Sequence, residues 1–235
     1  MPELTIIVPF FNEERTIGKL VQQLGALPPK TFDCCIFVDD GSEDNSHALL
    51  ESALDLVKFD YLVIQKSNGG KASAIQFASQ NVKTSHTLIL DADLELDTRD
   101  VIKMWKIVTD GTSDVVFGYR LFLAQSSFTY RFTYGNKLIS HIFGILYNEV
   151  ITDIMCGFKL IPSDYLQSIP FRFSKFAVEV EIPLVLWLQR VRPYEIEVAY
   201  TPRSRAEGKV IGVRDALQVI FDMLWFRIQM KNKRR

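Results

Sequence analysis

Leu88-Ile89-Leu90-Asp91-Ala92-Asp93 is an apolar run of strand length that stops on two carboxylates. So short and apolar a run suits a strand buried on both faces, as in parallel sheets covered by helices. The chain repeats the device upstream: Leu4-Thr5-Ile6-Ile7-Val8 runs into Pro9-Phe10-Phe11-Asn12-Glu13-Glu14, and Cys34-Cys35-Ile36-Phe37-Val38 into Asp39-Asp40-Gly41-Ser42. Strands are expected at Leu4–Val8, Cys34–Asp39, Tyr61–Gln65, Thr87–Leu90 and Asp114–Gly118. Between them, apolar residues at three and four spacing predict helices at Thr16–Leu27, Ser46–Val57, Ala72–Gln80 and Arg99–Thr109. This alternation predicts an α/β fold with a mainly parallel central sheet flanked by helices.

After Tyr119 the pattern changes. A helix rich in aromatic and apolar residues is expected over Tyr130–Tyr147, then a strand at Cys156–Ile161, a helix near Val178–Leu188 and a strand near Glu195–Ala199. A polar loop, Thr201–Lys209, leads to an amphipathic helix, Val213–Met230, with a basic tail of Lys231, Lys233, Arg234 and Arg235. The 235 residues suffice for one large domain, and no repeat or Pro/Gly-rich linker divides them. Residues 1–235 are therefore read as a single domain, divided at the change of pattern into a first half (1–119), a second half (120–212) and a C-terminal helix (213–235).

Hydrophobic residues at 48% and charged residues at 23% exclude disordered and fibrous classes. A net charge of -1 gives no global field for nucleic acid, so no nucleic-acid partner is expected. The three cysteines have no metal-ligand spacing, and Cys34 and Cys35, adjacent in a strand, point to opposite faces. His47, His86 and His141 stand apart from other catalytic residue types, so chemistry on a histidine base or ligand is not expected. No secretory leader and no run of about 18 apolar residues is visible, so a cytoplasmic location is the expectation.

Each polar motif follows a strand, where open α/β sheets bind ligands. Asp91 and Asp93 suit a hard divalent cation, Mg²⁺ or Mn²⁺, which takes one or two carboxylates plus substrate phosphates. They also suit the cap of the helix that follows. In Asp39-Asp40-Gly41-Ser42 a carboxylate can accept from a base or ribose hydroxyl. At the first strand end, the Phe11 ring and the Glu13 carboxylate can flank a nucleobase, or the same turn can cap a helix. Ser67-Asn68-Gly69-Gly70-Lys71 offers free backbone N–H groups and a cation to a phosphate, or is a simple turn.

In order, Val8-Pro9-Phe10-Phe11-Asn12-Glu13, Val38-Asp39-Asp40-Gly41-Ser42, Asn68-Gly69-Gly70-Lys71 and Asp91-Ala92-Asp93 resemble the motifs of family 2 glycosyltransferases with the GT-A fold. Phe11 stands where that family usually has Tyr. Gly118-Tyr119-Arg120, Asp153-Ile154-Met155-Cys156-Gly157-Phe158-Lys159 and Arg203-Ser204-Arg205-Ala206-Glu207-Gly208-Lys209 are similar to motifs of polyprenyl-phosphate glycosyltransferases, the dolichyl-phosphate glucose and mannose synthases among them. The resemblance spans residues 4 to about 229. It implies that Pro9, Phe11, Glu13, Val38 and Asp40 hold the nucleoside, with Lys71 and Ala92 counted on that nucleotide side. Asp91 and Asp93 would hold the metal diphosphate, and Arg120, Arg203 and Lys209 would meet phosphates. It further implies a UDP- or GDP-hexose donor, a dolichyl or undecaprenyl phosphate acceptor and inversion at the anomeric carbon. The Cys156-Gly157-Phe158-Lys159 form leans toward glucose.

A phosphate acceptor is already anionic and needs no strong base. A sugar hydroxyl would need one, and Asp153, with Glu179 and Glu181 behind it, is the candidate. A phosphatase with Asp91 as nucleophile is disfavoured by Glu95, which stands where such enzymes have Thr or Val. A nicotinamide enzyme lacks its Gly-x-Gly-x-x-Gly. The remaining alternative is a nucleotide-sugar-binding module without turnover. Many relatives use spanning helices and this sequence shows none, so attachment is expected through peripheral contact at the cytosolic membrane face. Val219, Ile220, Met223, Leu224, Trp225, Phe226 and Ile228 would carry it, flanked by Arg227 and the basic tail. Phe132, Tyr134, Ile139, Ile142, Phe143 and Leu146 would add a second contact. Packing on the domain, or a homo-oligomer interface, is the other reading of both faces.

Overall fold

The computed structural model describes residues 2–121, 130–172, 178–203 and 213–233. In chain order the elements are β1 (Leu4–Phe10), α1 (Ile17–Gly25), β2 (Cys34–Asp39), α2 (Ser46–Leu54), β3 (Asp60–Gln65), α3 (Lys71–Ser79), β4 (His86–Ile89), α4 (Asp100–Thr109), β5 (Val116–Arg120), α5 (Tyr130–Tyr147), β6 (Lys159–Pro162), α6 (Ser163–Ser168), α7 (Val178–Leu188), β7 (Tyr194–Val198) and α8 (Val213–Lys233). The seven strands lie in the order β3-β2-β1-β4-β6-β5-β7, and β6 alone runs antiparallel to its neighbours.

Alternation along the central strands builds two apolar layers. Ile7, Ile36, Val38, Ile89 and Phe117 face one side, where α3, α5, α6, α7 and α8 supply Ile75, Phe143, Leu166, Val180 and Met223. Ile6, Val8, Cys35, Phe37, Leu88 and Val116 face the other, against Leu20, Leu50 and Met104 of α1, α2 and α4. Helices on both faces leave the strand ends as the place for ligands. β1 and β4 are neighbours whose chains depart in opposite directions, and this switch point opens a crevice there.

The sixth strand was expected from Cys156. It begins instead at Lys159, because the backbone turns between Asp153 and Cys156, where Cys156 N–H bonds Asp153 C=O at 3.1 Å. Lys159 pairs with both Ile89 and Phe117. An antiparallel strand in this place brings the residues just before its start, Gly157 among them, to the carboxyl end of β4.

Part of the apolar surface expected to meet a membrane belongs to the core. Val219 and Met223 of α8, and Ile139 and Phe143 of α5, are buried in one cluster, with Ile142, Leu146, Ile220 and Phe226 packed partly against it. Tyr147 Oη donates to Met223 C=O at 2.5 Å, fastening α5 to α8. Among the described residues, the large apolar side chains that α8 leaves exposed are Leu217, Phe221, Leu224, Trp225 and Ile228. Among the described residues, no helix is long and apolar enough to cross a membrane.

Candidate active site

A cleft of about 340 Å³ opens at the carboxyl ends of β1, β2 and β4. The β1 end contributes Pro9, Phe10, Phe11 and Glu13; β2 contributes Asp40; the β4 end contributes Asp91, Ala92, Asp93, Glu95 and Leu96. The far wall comes from the second half of the chain, through Arg120, Met155, Gly157, Glu179, Tyr200 and Arg203. Phe11 stands at the rim, 41% exposed, with its ring among the residues that line the cleft. Val38 is not in the wall. It is fully buried in the core beneath the strand ends, because its position in β2 points it into the sheet's helical layer.

Two expectations change once partners are visible. The N–H groups of the Gly69-Gly70 turn are not free: both donate to Asp40, at 3.0 and 2.6 Å, and Lys66 Nζ lies 2.5 Å from the same carboxylate. Asp40 therefore fixes the turn that starts α3, and its capacity for a hydroxyl is largely used. Asp153 is likewise engaged. It accepts from Arg120 Nε at 2.6 Å and Arg120 Nη2 at 2.8 Å while almost wholly buried, so it orients a guanidinium rather than standing ready as a base. His47 also has carboxylate neighbours, Asp39 at 3.1 Å and Glu51 at 3.5 Å, outside the cleft wall.

The paired carboxylates carry cations. Asp91 forms an ion pair with Lys71, whose Nζ also reaches Glu179 at 2.6 Å. Burial works against the Lys71 charge, but Asp91 and Glu179 outweigh it and hold the ammonium above the usual lysine range. Glu179 is buried too. Burial penalises its charge, yet Lys159 and Lys71 pull its carboxyl below the ordinary value. Asp93 lies 3.2 Å from Arg203 Nη2, and Arg203 pairs through both terminal nitrogens with Glu13 at 2.9 Å. Burial, with the charges of Asp91 and Glu95 alongside, pushes the Asp93 carboxyl up to about 6 despite Arg203.

Glu95 ties the exit of β7 to this turn. It accepts from Tyr200 Oη at 2.7 Å and from Arg203 N–H at 2.8 Å, so the backbone that carries Arg203 is set by the residue two after Asp93. Between them Leu94 adopts φ 59°, a strained conformation for a branched side chain that costs on the order of 1 kcal/mol or more. Sequence reading gave Glu95 no role in the site and missed Tyr200. Signals existed: Asp91-Ala92-Asp93-Leu94-Glu95 alternates acids, and Glu179 and Lys159 are charges set in otherwise apolar runs. Arg205 and Lys209 lie outside the described residues.

The profile of glycosyl transferase family 2 matches residues 5–170 of the chain. The chain belongs to that family. This family 2 glycosyltransferase is 26% identical to the dodecaprenyl-phosphate galacturonate synthase of Rhizobium johnstonii, over 99% of its own length and 69% of the relative's. It is 23% identical to a dolichyl-phosphate beta-glucosyltransferase of Trichomonas vaginalis, over 97% of its length and 75% of the relative's. Glucosyl-3-phosphoglycerate synthase from Mycobacterium tuberculosis, solved with Mn²⁺, uridine diphosphate and phosphoglyceric acid, matches it with a TM-score of 0.75 at 16% identity. That match covers 96% of this chain and 78% of that one, and establishes the GT-A fold. The family 2 glycosyltransferase is thus an enzyme of sugar transfer whose relatives include polyprenyl-phosphate glycosyltransferases.

Proposed function

We propose that the enzyme transfers a hexose from a UDP- or GDP-sugar to a polyprenyl phosphate, with inversion at the anomeric carbon. One observation carries the choice of acceptor. Among the described residues, every carboxylate lining the cleft is engaged: Glu13 and Asp93 with Arg203, Asp40 with Lys66 and the Gly69-Gly70 turn, Asp91 with Lys71, Glu95 with Tyr200, Glu179 with Lys71 and Lys159. None stands alone as a general base. A phosphate oxygen needs none, since it is anionic near neutral pH and attacks the anomeric carbon directly while the bond to the donor diphosphate breaks.

In this reading residues 1–119 hold the donor and residues 120–212 add the acceptor side. Pro9, Phe11 and Ala92 enclose the nucleoside. Arg120, oriented by Asp153, and Arg203 offset phosphate charge, and the sequence motif assigns Lys209 the same task. Asp91 and Asp93 are the residues to hold Mg²⁺ or Mn²⁺. Their chemistry suits the ion: two carboxylates on one turn, whose negative charge already draws in Lys71 and Arg203. Among the described residues no group of three His, Cys, Asp or Glu side chains is arranged to hold a metal, so substrate oxygens and water would have to complete the ligand set. A divalent ion there would supply charge stabilisation to the departing nucleoside diphosphate.

The C-terminal helix is the proposed contact with the membrane that holds the acceptor. Leu217, Phe221, Leu224 and Ile228 follow one another at helical spacing and are all exposed, and α5 adds exposed Tyr134, Leu138 and Ile145. Exposed Lys137 and Arg214 flank them, and Lys231, Lys233, Arg234 and Arg235 end the sequence. An apolar stripe bordered by basic residues suits an anionic lipid surface.

The test is incubation with a panel of UDP- and GDP-hexoses, Mg²⁺ or Mn²⁺ and a short-chain polyprenyl phosphate. Lipid-linked hexose should form, and Asp91→Asn should lower its rate by roughly 10² or more. Transfer to a sugar hydroxyl, with the lipid phosphate ignored, would defeat the proposal.

A further inference from the structure

We infer that Glu13 and Glu179 are positioning residues in a counter-ion exchange: they retain Arg203 and Lys71 when a divalent cation takes the Asp91 and Asp93 carboxylates. The inference rests on the reading of those two aspartates as metal ligands.

The geometry is the same on both sides of the pair. Lys71 bridges Asp91 and Glu179, and Arg203 bridges Asp93 and Glu13. Each basic residue therefore touches one carboxylate of the pair and one outside it. The outer partners are the fixed ones. Glu179 is buried and held by Lys159, which is itself buried and bonded to the carbonyls of Ile154 and Cys156. Glu13 accepts from the Thr16 hydroxyl at 2.7 Å and meets Arg203 through two bonds of 2.9 Å, against a single 3.2 Å contact from Arg203 to Asp93.

Two consequences follow from charge. Without metal, Lys71 and Arg203 screen two neighbouring carboxylates from each other. When metal arrives, neither cation is stranded, because a buried or half-buried charge that loses one partner keeps the other. Their inner sides then become available to the phosphates of the incoming donor or acceptor. The cations also compete with the metal, so apparent metal affinity in the absence of substrate is reduced by the fraction of molecules whose aspartates are covered.

Mn²⁺ binding to the full chain without nucleotide, read from the electron paramagnetic resonance signal of free Mn²⁺, tests this with opposite signs. Arg203→Met removes a competitor and should tighten Mn²⁺ binding by about fivefold. Glu13→Gln leaves Arg203 with Asp93 as its carboxylate in the pair and should weaken Mn²⁺ binding by a similar factor. Arg203→Lys should return toward the wild-type value, and circular dichroism melts should show all three folded, since both positions lie partly open to solvent. If Arg203→Met and Glu13→Gln shift Mn²⁺ affinity in the same direction, or neither shifts it, the exchange is wrong while the metal site stands. Mn²⁺ binding unchanged in Asp91→Asn and Asp93→Asn would instead overturn the metal reading, and this inference with it.

Discussion

The carboxylate of Asp91 lies against the α-carbon of Gly157, so close that a β-carbon there would overlap it, with Lys71 Nζ 3.3 Å from the same point. Gly157 is therefore fixed by the approach of a side chain from another strand rather than by its own backbone angle. Asp91 is a movable side-chain end, so Gly157→Ala should fold normally and push the carboxylate off its place. We expect a thermal midpoint within a few degrees of wild type and activity lower by tenfold or more. Full activity in steady-state assays would show that Asp91 tolerates the shift.

Asp93 gives the site a pH dependence. Its folded carboxyl, raised to about 6 by burial and by Asp91 and Glu95, favours the protonated form more than an unfolded carboxyl near 3.8 does. It therefore contributes stability to the metal-free protein below about pH 4, and that contribution is lost as pH rises through about 6. The proposed metal ligation needs the ionised form of Asp93, so Mn²⁺ affinity is expected to fall steeply below pH 6. Denaturant melts from pH 4 to 7 should show the stability slope, and Asp93→Asn should flatten it.

Lys159 serves Glu179 from the interior. It is buried, and its ammonium meets the Glu179 carboxylate and the carbonyls of Ile154 and Cys156. Lys159→Met would leave Glu179 with Lys71 alone and two carbonyls without this donor. The expected loss is about 3–5 kcal/mol, the usual cost of breaking a buried ion pair, measured by urea unfolding. A loss under about 1 kcal/mol would mean that water replaces the ammonium.

Phe221 and Val219 separate membrane contact from packing on a single helix. Phe221 is 60% exposed and Val219 is 1% exposed. Phe221→Glu combined with Ile228→Glu should leave the melting temperature nearly unchanged and weaken binding to anionic vesicles at low salt. Val219→Glu should destabilise the fold by several kcal/mol because it buries an unpaired charge. Vesicle binding indifferent to the double substitution and to deletion of Lys231–Arg235 would assign the stripe to another partner.

The sequence alone determined what depends on neighbours along the chain. Apolar runs ending in acids marked the β1, β2 and β4 ends, three and four spacing marked the helices, and α5 begins and ends at the expected Tyr130 and Tyr147. The family was legible in the same motifs, because ligands meet a sheet at strand ends and those ends are local. What only the tertiary structure decided is which charges meet. Arg203 reaches Glu13 across 190 positions and Lys71 reaches Glu179 across 108. Periodicity carries no information on such pairs, since strand order and the antiparallel insertion of β6 set them. For the same reason Val38 went to the core, Asp40 to the Gly69-Gly70 turn and Asp153 to Arg120. A motif names a residue type at a strand end, while the direction of its side chain and the group that satisfies it are fixed by elements packed from far along the chain.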